Sequence, residues 1–327
     1  MNILVTGGTG FTGGHLCQRL VGQGHHVRTL SRRGSAVELL EQMGVEIIPG
    51  DLGDPAAIAT AVQGVQSVYH IAALYRQQKG DPRQFWQINT EAVEHLLAAA
   101  VHSGVRRFVQ CSTVGVHGHI AHPPATEATP YHPGDLYQES KLAGELIAQR
   151  YMREGQIGVT IFRPAAIYGP RDLRFLKLFR AIQKRRFVML GSGTVTYHLV
   201  YIEGLIDGIV ACGTHDQAIG QIYILGGETY VPLNQLVAMI AEELQVPKPQ
   251  IRIPLWPVYG MGYVCEVLCK PFGIEPPLYR RRIDFFKKSR AFDISKAKHE
   301  LGFRPKVSLK EGLHRTAQWY IEQGYLS

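Results

Sequence analysis

The 327-residue chain contains no Cys-x-x-Cys pair and only five cysteines: Cys17, Cys111, Cys212, Cys265 and Cys269. An odd count without paired spacing excludes a disulfide framework and a zinc site, so no metal is expected. The cysteines read as small apolar residues in a reduced, cytoplasmic setting. A long hydrophobic run is also missing. The longest, 256–269, is interrupted by Glu266 and falls short of the ~20 residues a spanning helix needs. No basic leader stands before the opening MNILVTGG, so no secretory signal is expected. Repeats and low-complexity tracts are absent. Charge balance is absent too: the net charge is +8 and the pI about 9.2. Such an excess favours an anionic partner. Without a recognised nucleic-acid module, nucleic acid is not expected to be that partner.

With 45% hydrophobic and 19% charged residues, the composition is that of a globular protein. In the first half, short apolar runs alternate with helical patterns. Strands are expected at 2–6, 26–30, 45–50, 67–72, 107–112 and 159–164, and helices at 12–22, 55–63, 85–103 and 137–153. Asp54-Pro55 has the form of a helix N-cap followed by proline at the first helical position. This alternation predicts an α/β fold, a doubly wound parallel Rossmann sheet. Beyond residue 170 the rhythm changes. Residues 171–187 are basic and amphipathic, 199–204 and 221–227 are expected to rejoin the first sheet, and 231–320 is mainly helical. The expected division is a dinucleotide-binding domain at 1–170 plus about 199–227. A smaller, mainly helical substrate domain would take about 171–198 and 228–327.

The first strand runs directly into TGGTGFTGG, residues 6–14. Gly7, Gly10 and Gly13 stand three apart as a helix begins. That strand–turn–helix context identifies a dinucleotide turn, with pyrophosphate at the helix N-terminus. An NAD site would carry an acid about twenty residues later, yet no Asp or Glu occurs between Gly14 and Val37. Ser31, Arg32 and Arg33 fill the place, and a guanidinium there suits a 2′-phosphate. NADP(H) is therefore expected, with NAD(H) as the second option. Further along, Tyr137 and Lys141 stand four apart and share one helix face.

Taken in order, these motifs resemble the extended short-chain dehydrogenase/reductase family, of the NAD-dependent epimerase/dehydratase type, over nearly the whole chain. TGGTGFTG resembles its cofactor turn, where Gly7, Gly10, Phe11, Thr12 and Gly13 would cradle the cofactor. GDLGD (50–54) resembles its adenine contact, through Asp51 and Leu52. HIAAL (70–74) supplies Ala72 and Ala73 beside the cofactor. CSTVGVHG (111–118) resembles the strand bearing the catalytic hydroxyl, Thr113 on alignment, with Ser112 the second choice. YQESK resembles the catalytic Tyr-x-x-x-Lys, and RPAAIYGP (163–170) puts Pro164 near the nicotinamide. The resemblance implies that Tyr137 is the general acid/base, that Lys141 lowers its pKa and holds the nicotinamide ribose, and that Thr113 bonds the reacting oxygen. Asn89 is expected to be structural. The family also implies a homodimer built on helices 85–103 and 137–153.

The departures bear on the substrate. Nucleotide-sugar members carry an Asn where this chain has Ala166, and an Arg where it has Tyr197, with His198 in place of an Asp. A buried diphosphate without partners would be costly. The expected substrate is an alcohol or ketone on a largely apolar molecule, contacted by Thr113, Tyr137, Ala166, Tyr168, Tyr197 and the aromatic 256–272 segment. This pattern is nearest to hydroxysteroid dehydrogenase and dihydroflavonol reductase-like members. A nucleotide-sugar epimerase or dehydratase, and a non-catalytic NADP(H)-binding redox sensor, are the alternatives. The basic 279–290 segment adds the option of a peripheral membrane contact.

Overall fold

The structure, a computed structural model, describes residues 1–75, 81–269 and 280–326. Strand β1 (Asn2–Thr6) turns Ile3 and Val5 to one face of the sheet and Leu4 to the other, the period of two that a strand imposes. It passes through the glycines into α1 (Phe11–Gly22). Then follow β2 (His26–Ser31), α2 (Glu38–Gln42), β3 (Glu46–Pro49), α3 (Pro55–Val62) and β4 (Ser67–His70). Asp54 caps α3 as expected, its Oδ1 accepting the Ala56 N–H at 2.9 Å.

The helix expected at 85–103 is interrupted. It comes as α4 (Arg83–Trp86), a wide π-helical turn at Gln87–Glu91 and α5 (Ala92–His102). Within that turn Asn89 is fully buried. Its side chain accepts from Leu74 N at 2.8 Å and donates to Leu74 O and Ser140 Oγ, each at 3.0 Å. Asn89 thus ties the chain after β4 to the helix that carries Tyr137. That is a structural role, and helical spacing alone gave no sign of the wider turn.

Next come β5 (Arg107–Cys111), α6 (Leu136–Glu154), β6 (Gly158–Pro164) and β7 (Ala166–Tyr168). Helix α7 (Leu176–Gln183), β8 (Met189–Leu190), β9 (Thr196–Tyr201), α8 (Ile202–Thr214) and β10 (Ile222–Leu225) follow. The C-terminal part comprises β11 (Tyr230–Pro232), α9 (Leu233–Glu243), β12 (Arg252–Ile253), α10 (Leu255–Cys269), α11 (Arg280–Lys287), α12 (Ser295–Leu301) and α13 (Leu309–Glu322).

Seven strands form one parallel sheet in the order β10-β6-β5-β4-β1-β2-β3. One core, with Leu16 of α1 and Leu205 and Ile209 of α8, covers one face. The other, with Ile58 of α3, Leu96 of α5 and Ala148 of α6, covers the opposite face. Strand order reverses between β1 and β4, and a crevice at the carboxyl ends of the strands is the ligand position such sheets share.

One expectation needs correction. Residues 221–227 rejoin the sheet through β10, but 199–204 do not. Residues 196–201 form β9 in a separate sheet, between β7 and β11, and helix α8 starts at Ile202. After Ala165 bonds Leu225 O at 2.9 Å, the chain leaves the main sheet as β7 and takes β9 with it. The edge of β6 is then occupied by β10. Part of the expected 256–272 and 279–290 segments, residues 270–279, lies outside the described residues.

Candidate active site

The glycine turn fits a dinucleotide by close packing. Gly7 has φ +76°, and a Cβ there would stand 2.9 Å from the Ala72 backbone. A Cβ on Gly13 would stand 2.1 Å from Gly7 O. Gly10 is the N-cap of α1 and offers no side-chain cap. The first-turn N–H groups of Phe11, Thr12 and Gly13 therefore keep their donors for an anion. Thr6 fixes the neighbouring strand end: its hydroxyl lies 2.7 Å from His70 Nδ1 and accepts the Ala72 N–H at 3.3 Å. Ala72 and the exposed Ala73 follow at the end of β4.

At the end of β2, Ser31 is buried and its Oγ has no partner among the described residues. Arg32 and Arg33 are exposed beyond it. Arg32 Nε is 3.8 Å from Asp51 Oδ2, so the residues that follow β2 and β3 meet. Asp51 Oδ1 accepts the Gly53 N–H at 2.8 Å, and Leu52 packs against the core under α3. These groups could hold the adenosine end of a dinucleotide.

Thr113, Tyr137 and Lys141 converge where β5 ends. Thr113 is in extended backbone and caps a short turn, its Oγ1 accepting the Gly115 N–H at 3.0 Å. Its side chain also stands close enough to the Tyr137 phenol to draw the phenol pKa down. Asp135 caps α6 through the Gln138 N–H at 2.9 Å and so sets the phase of the helix that presents Tyr137 and Lys141. Lys141 is buried, and its Nζ donates to Cys111 O at 2.6 Å. Pro164, at the end of β6, is buried and pairs with Leu225 of β10.

The expectation that Lys141 lowers the Tyr137 pKa is not met here. Loss of water, then Cys111 and the Tyr75 ring that stands edge-on at 4.9 Å, push the phenol above the ordinary tyrosine range; the Thr113 hydrogen bond opposes this. Burial also pulls Lys141 down, against Cys111 and Glu145. The Lys141 ammonium is directed at a backbone carbonyl instead of the phenol.

Behind these residues lies a buried polar cluster that motif reading missed. Arg163 and Glu145 are both fully buried and paired, Nη2 to Oε1 at 2.5 Å and Nε to Oε2 at 3.1 Å. Ser112 Oγ donates to Glu145 Oε2. Arg163 also reaches Tyr131 Oη at 2.8 Å, Glu127 O at 2.9 Å and His117 Nε2 at 3.0 Å. Burial alone would raise the Glu145 pKa, but the Arg163, Ser112 and Tyr131 bonds hold it below the usual carboxylate range. With Ser112 engaged there, Thr113 is the hydroxyl that meets Tyr137. The one sequence signal was spacing: Glu145 follows Lys141 by four residues on the same helix face.

Two expected substrate residues lie elsewhere. Tyr168 is buried against Phe175 and Tyr201, and its hydroxyl is 3.4 Å from Leu309 O at α13. Tyr197 is buried, and its hydroxyl donates to Phe285 O at 2.5 Å. Both join the C-terminal part to the smaller β7-β9-β11 sheet, and neither hydroxyl faces the crevice unpaired. His198 is likewise internal, with Nε2 2.8 Å from Gly227 O. Ala166 is half-buried.

The buried histidines predict a pH response. Burial, then the nearby Lys141, depress the His70 pKa to about 3 from the ordinary 6.5. His117 and His198 are lowered mainly by burial too. The unfolded chain then binds more protons than the folded one below pH 6.5, so stability is full above that value and falls as pH drops toward 3. Each such histidine removes up to about 1.4 kcal/mol per pH unit within its window. Urea midpoints should be lower at pH 5 than at pH 7.5, and equal midpoints would contradict the neutral assignment.

A glycine cradle at the switch point of a doubly wound sheet, with a hydroxyl, a tyrosine and a lysine gathered nearby, defines a dinucleotide-dependent enzyme of the extended short-chain dehydrogenase/reductase class. The NAD dependent epimerase/dehydratase family matches residues 3–226, and the chain belongs to that family. It is 30% identical over 335 residues to the 2-alkyl-3-oxoalkanoate reductase of Stenotrophomonas maltophilia, covering 96% of this chain and 98% of that one. It is 30% identical over 348 residues to the Arabidopsis thaliana 3beta-hydroxysteroid-dehydrogenase/decarboxylase isoform 1, covering 96% and 78%. Among solved structures, UDP-glucuronic acid 4-epimerase from Bacillus cereus, in complex with NAD, superposes with a TM-score of 0.78 at 25% identity, over 99% of this chain and 100% of that one. No helix among the described residues is long and apolar enough to cross a membrane.

Proposed function

We propose that the protein is an NADP(H)-preferring reductase or dehydrogenase for an alcohol or ketone on a largely apolar molecule, such as a terpenoid, sterol-like or β-hydroxy/keto compound. The observation that carries this reading is the gathering of Thr113, Tyr137 and Lys141 at the end of β5; Ala166 and an engaged Tyr197 replace the Asn and Arg that would hold a nucleotide diphosphate. The bound nicotinamide would supply or accept the hydride. Tyr137 exchanges the proton of the substrate oxygen, Thr113 orients that oxygen, and Lys141 holds the nicotinamide ribose. A hydroxysteroid dehydrogenase and an oxoalkanoate reductase among the relatives support the same chemistry.

The unpartnered Ser31 Oγ with Arg32 and Arg33 supports a 2′-phosphate site. Losing a charge-assisted hydrogen bond costs ~1.5–3 kcal/mol. NADPH should therefore bind about tenfold to a hundredfold more tightly than NADH, and Arg32→Ala should remove most of that margin. Fluorescence titration measures both. In the same experiment, UDP-sugars should not bind while apolar hydroxy/keto compounds do. Micromolar UDP-sugar binding with epimerisation would replace this reading by the nucleotide-sugar one.

We also propose a homodimer through the α5/α6 side. Leu146 on α6 is 46% exposed and Trp86 at the end of α4 is 38% exposed, an apolar surface on adjoining elements. Light scattering should give twice the chain mass, and Leu146→Glu should shift it toward the monomer. A monomeric wild type at micromolar concentration would refute the assignment.

A further inference from the structure

The loop after β7 brings two guanidinium groups to the start of α1, and the chemistry above uses neither. Arg174 lies with its Cζ 5.5 Å from the centroid of the Phe11 ring, the first residue of α1. The loop holds it from behind: Nε donates to Asp172 Oδ1 at 2.6 Å and Nη2 to Ile167 O at 3.0 Å. Asp172 is itself buried, and its carbonyl accepts the Tyr320 hydroxyl. The Nη1 edge of Arg174 is left over, on a guanidinium that is already oriented.

Arg171 approaches the same helix one turn further in. Its Nη2 is 3.8 Å from where a Cβ on Gly14 would stand. Its backbone has φ +76°, a conformation that a non-glycine residue adopts at a cost. Among the described residues it has no ion-pair partner. Beside it, His15 Nε2 is buried without a partner among the described residues, and burial together with Arg171 lowers the pKa of that imidazole.

Two cations therefore flank the uncapped, positive end of a helix, with Asp172 the single carboxylate bonded to either among the described residues. Such a gathering is self-repelling until an anion enters, and guanidinium groups bind phosphoryl oxygens bidentately. We propose that Arg174, assisted by Arg171, completes the pyrophosphate site at the start of α1. This rests on the reading of the chain as a dinucleotide-dependent reductase. It separates two anion contacts on one cofactor: Arg32 for the 2′-phosphate and Arg174 for the pyrophosphate.

Calorimetric titration of the full chain with NADPH, ADP-ribose and adenosine 2′-monophosphate tests the assignment. In Arg174→Met, NADPH and ADP-ribose should weaken by about tenfold to a hundredfold, while adenosine 2′-monophosphate changes less than about twofold. Arg32→Ala should do the reverse, weakening the 2′-monophosphate and sparing ADP-ribose. Arg171→Gln removes a side chain without an ion-pair partner among the described residues, so it tests the site without disturbing the Asp172 loop. It should weaken ADP-ribose severalfold. Unchanged ADP-ribose affinity in both Arg174→Met and Arg171→Gln would overturn the proposal. So would a rise in KM for an acidic substrate with cofactor affinity intact, which would assign Arg174 to a substrate carboxylate. If Arg174→Met weakens all three ligands and lowers Tm, Arg171→Gln decides alone. A wild-type chain that binds none of the three refutes the dinucleotide reading itself, a failure distinct from an unaffected variant.

Discussion

Tyr137→Phe should reduce kcat/KM by about 10²–10⁴-fold, the range a positioned general acid or base contributes, while the cofactor Kd stays within about twofold. The substitution removes one hydroxyl and keeps the ring that packs edge-on against Tyr75, so the fold should be unaffected. The raised phenol pKa adds a sign. Near neutral pH the phenol is protonated, which suits proton donation to a carbonyl during reduction. Oxidation of the alcohol needs the phenolate, so its rate should climb with pH well past neutrality. Steady-state kinetics in both directions, from pH 6 to 10, measures this. Lys141→Ala should weaken both turnover and cofactor affinity. Thr113→Val should be severe and Ser112→Ala milder, because the Ser112 hydroxyl faces Glu145 instead of Tyr137. Full activity in Tyr137→Phe would remove the tyrosine from the mechanism.

The second large effect is on stability. Glu145→Ala should destabilise the fold by about 3–5 kcal/mol, the cost of leaving a buried charge unpaired. Arg163 would keep Tyr131, His117 and the Glu127 carbonyl but lose its only bonded carboxylate among the described residues. Ser112 would lose its acceptor as well. Replacing both partners by apolar residues, as in Glu145→Leu with Arg163→Met, should recover much of the loss, since no charge then remains buried. Urea unfolding of the two variants compares them directly. A single variant as stable as wild type would show that water or another group satisfies Arg163. The pair also has a functional side. It joins α6, β6 and the residue before Thr113, so the single variant should lower kcat in whatever fraction remains folded.

The sequence by itself determined the doubly wound sheet, the glycine cradle and the gathering of Tyr137 and Lys141, because each is written in local spacing. Period-two apolar runs make strands, glycines three apart make the turn, and residues four apart share a helix face. Tertiary structure alone decided what those faces meet. Whether Ser112 or Thr113 faces Tyr137 depends on Glu145 claiming the former from helix α6. That Tyr168 and Tyr197 are interior fasteners depends on Leu309 and Phe285, more than eighty residues away in the chain. The strand at 196–201 has the same local pattern as one that rejoins the main sheet. Its pairing with β7 and β11 was set by which edge was already filled by β10. Spacing records which side a residue presents, while its partner is chosen by burial and by competition for hydrogen bonds among segments that no local pattern connects.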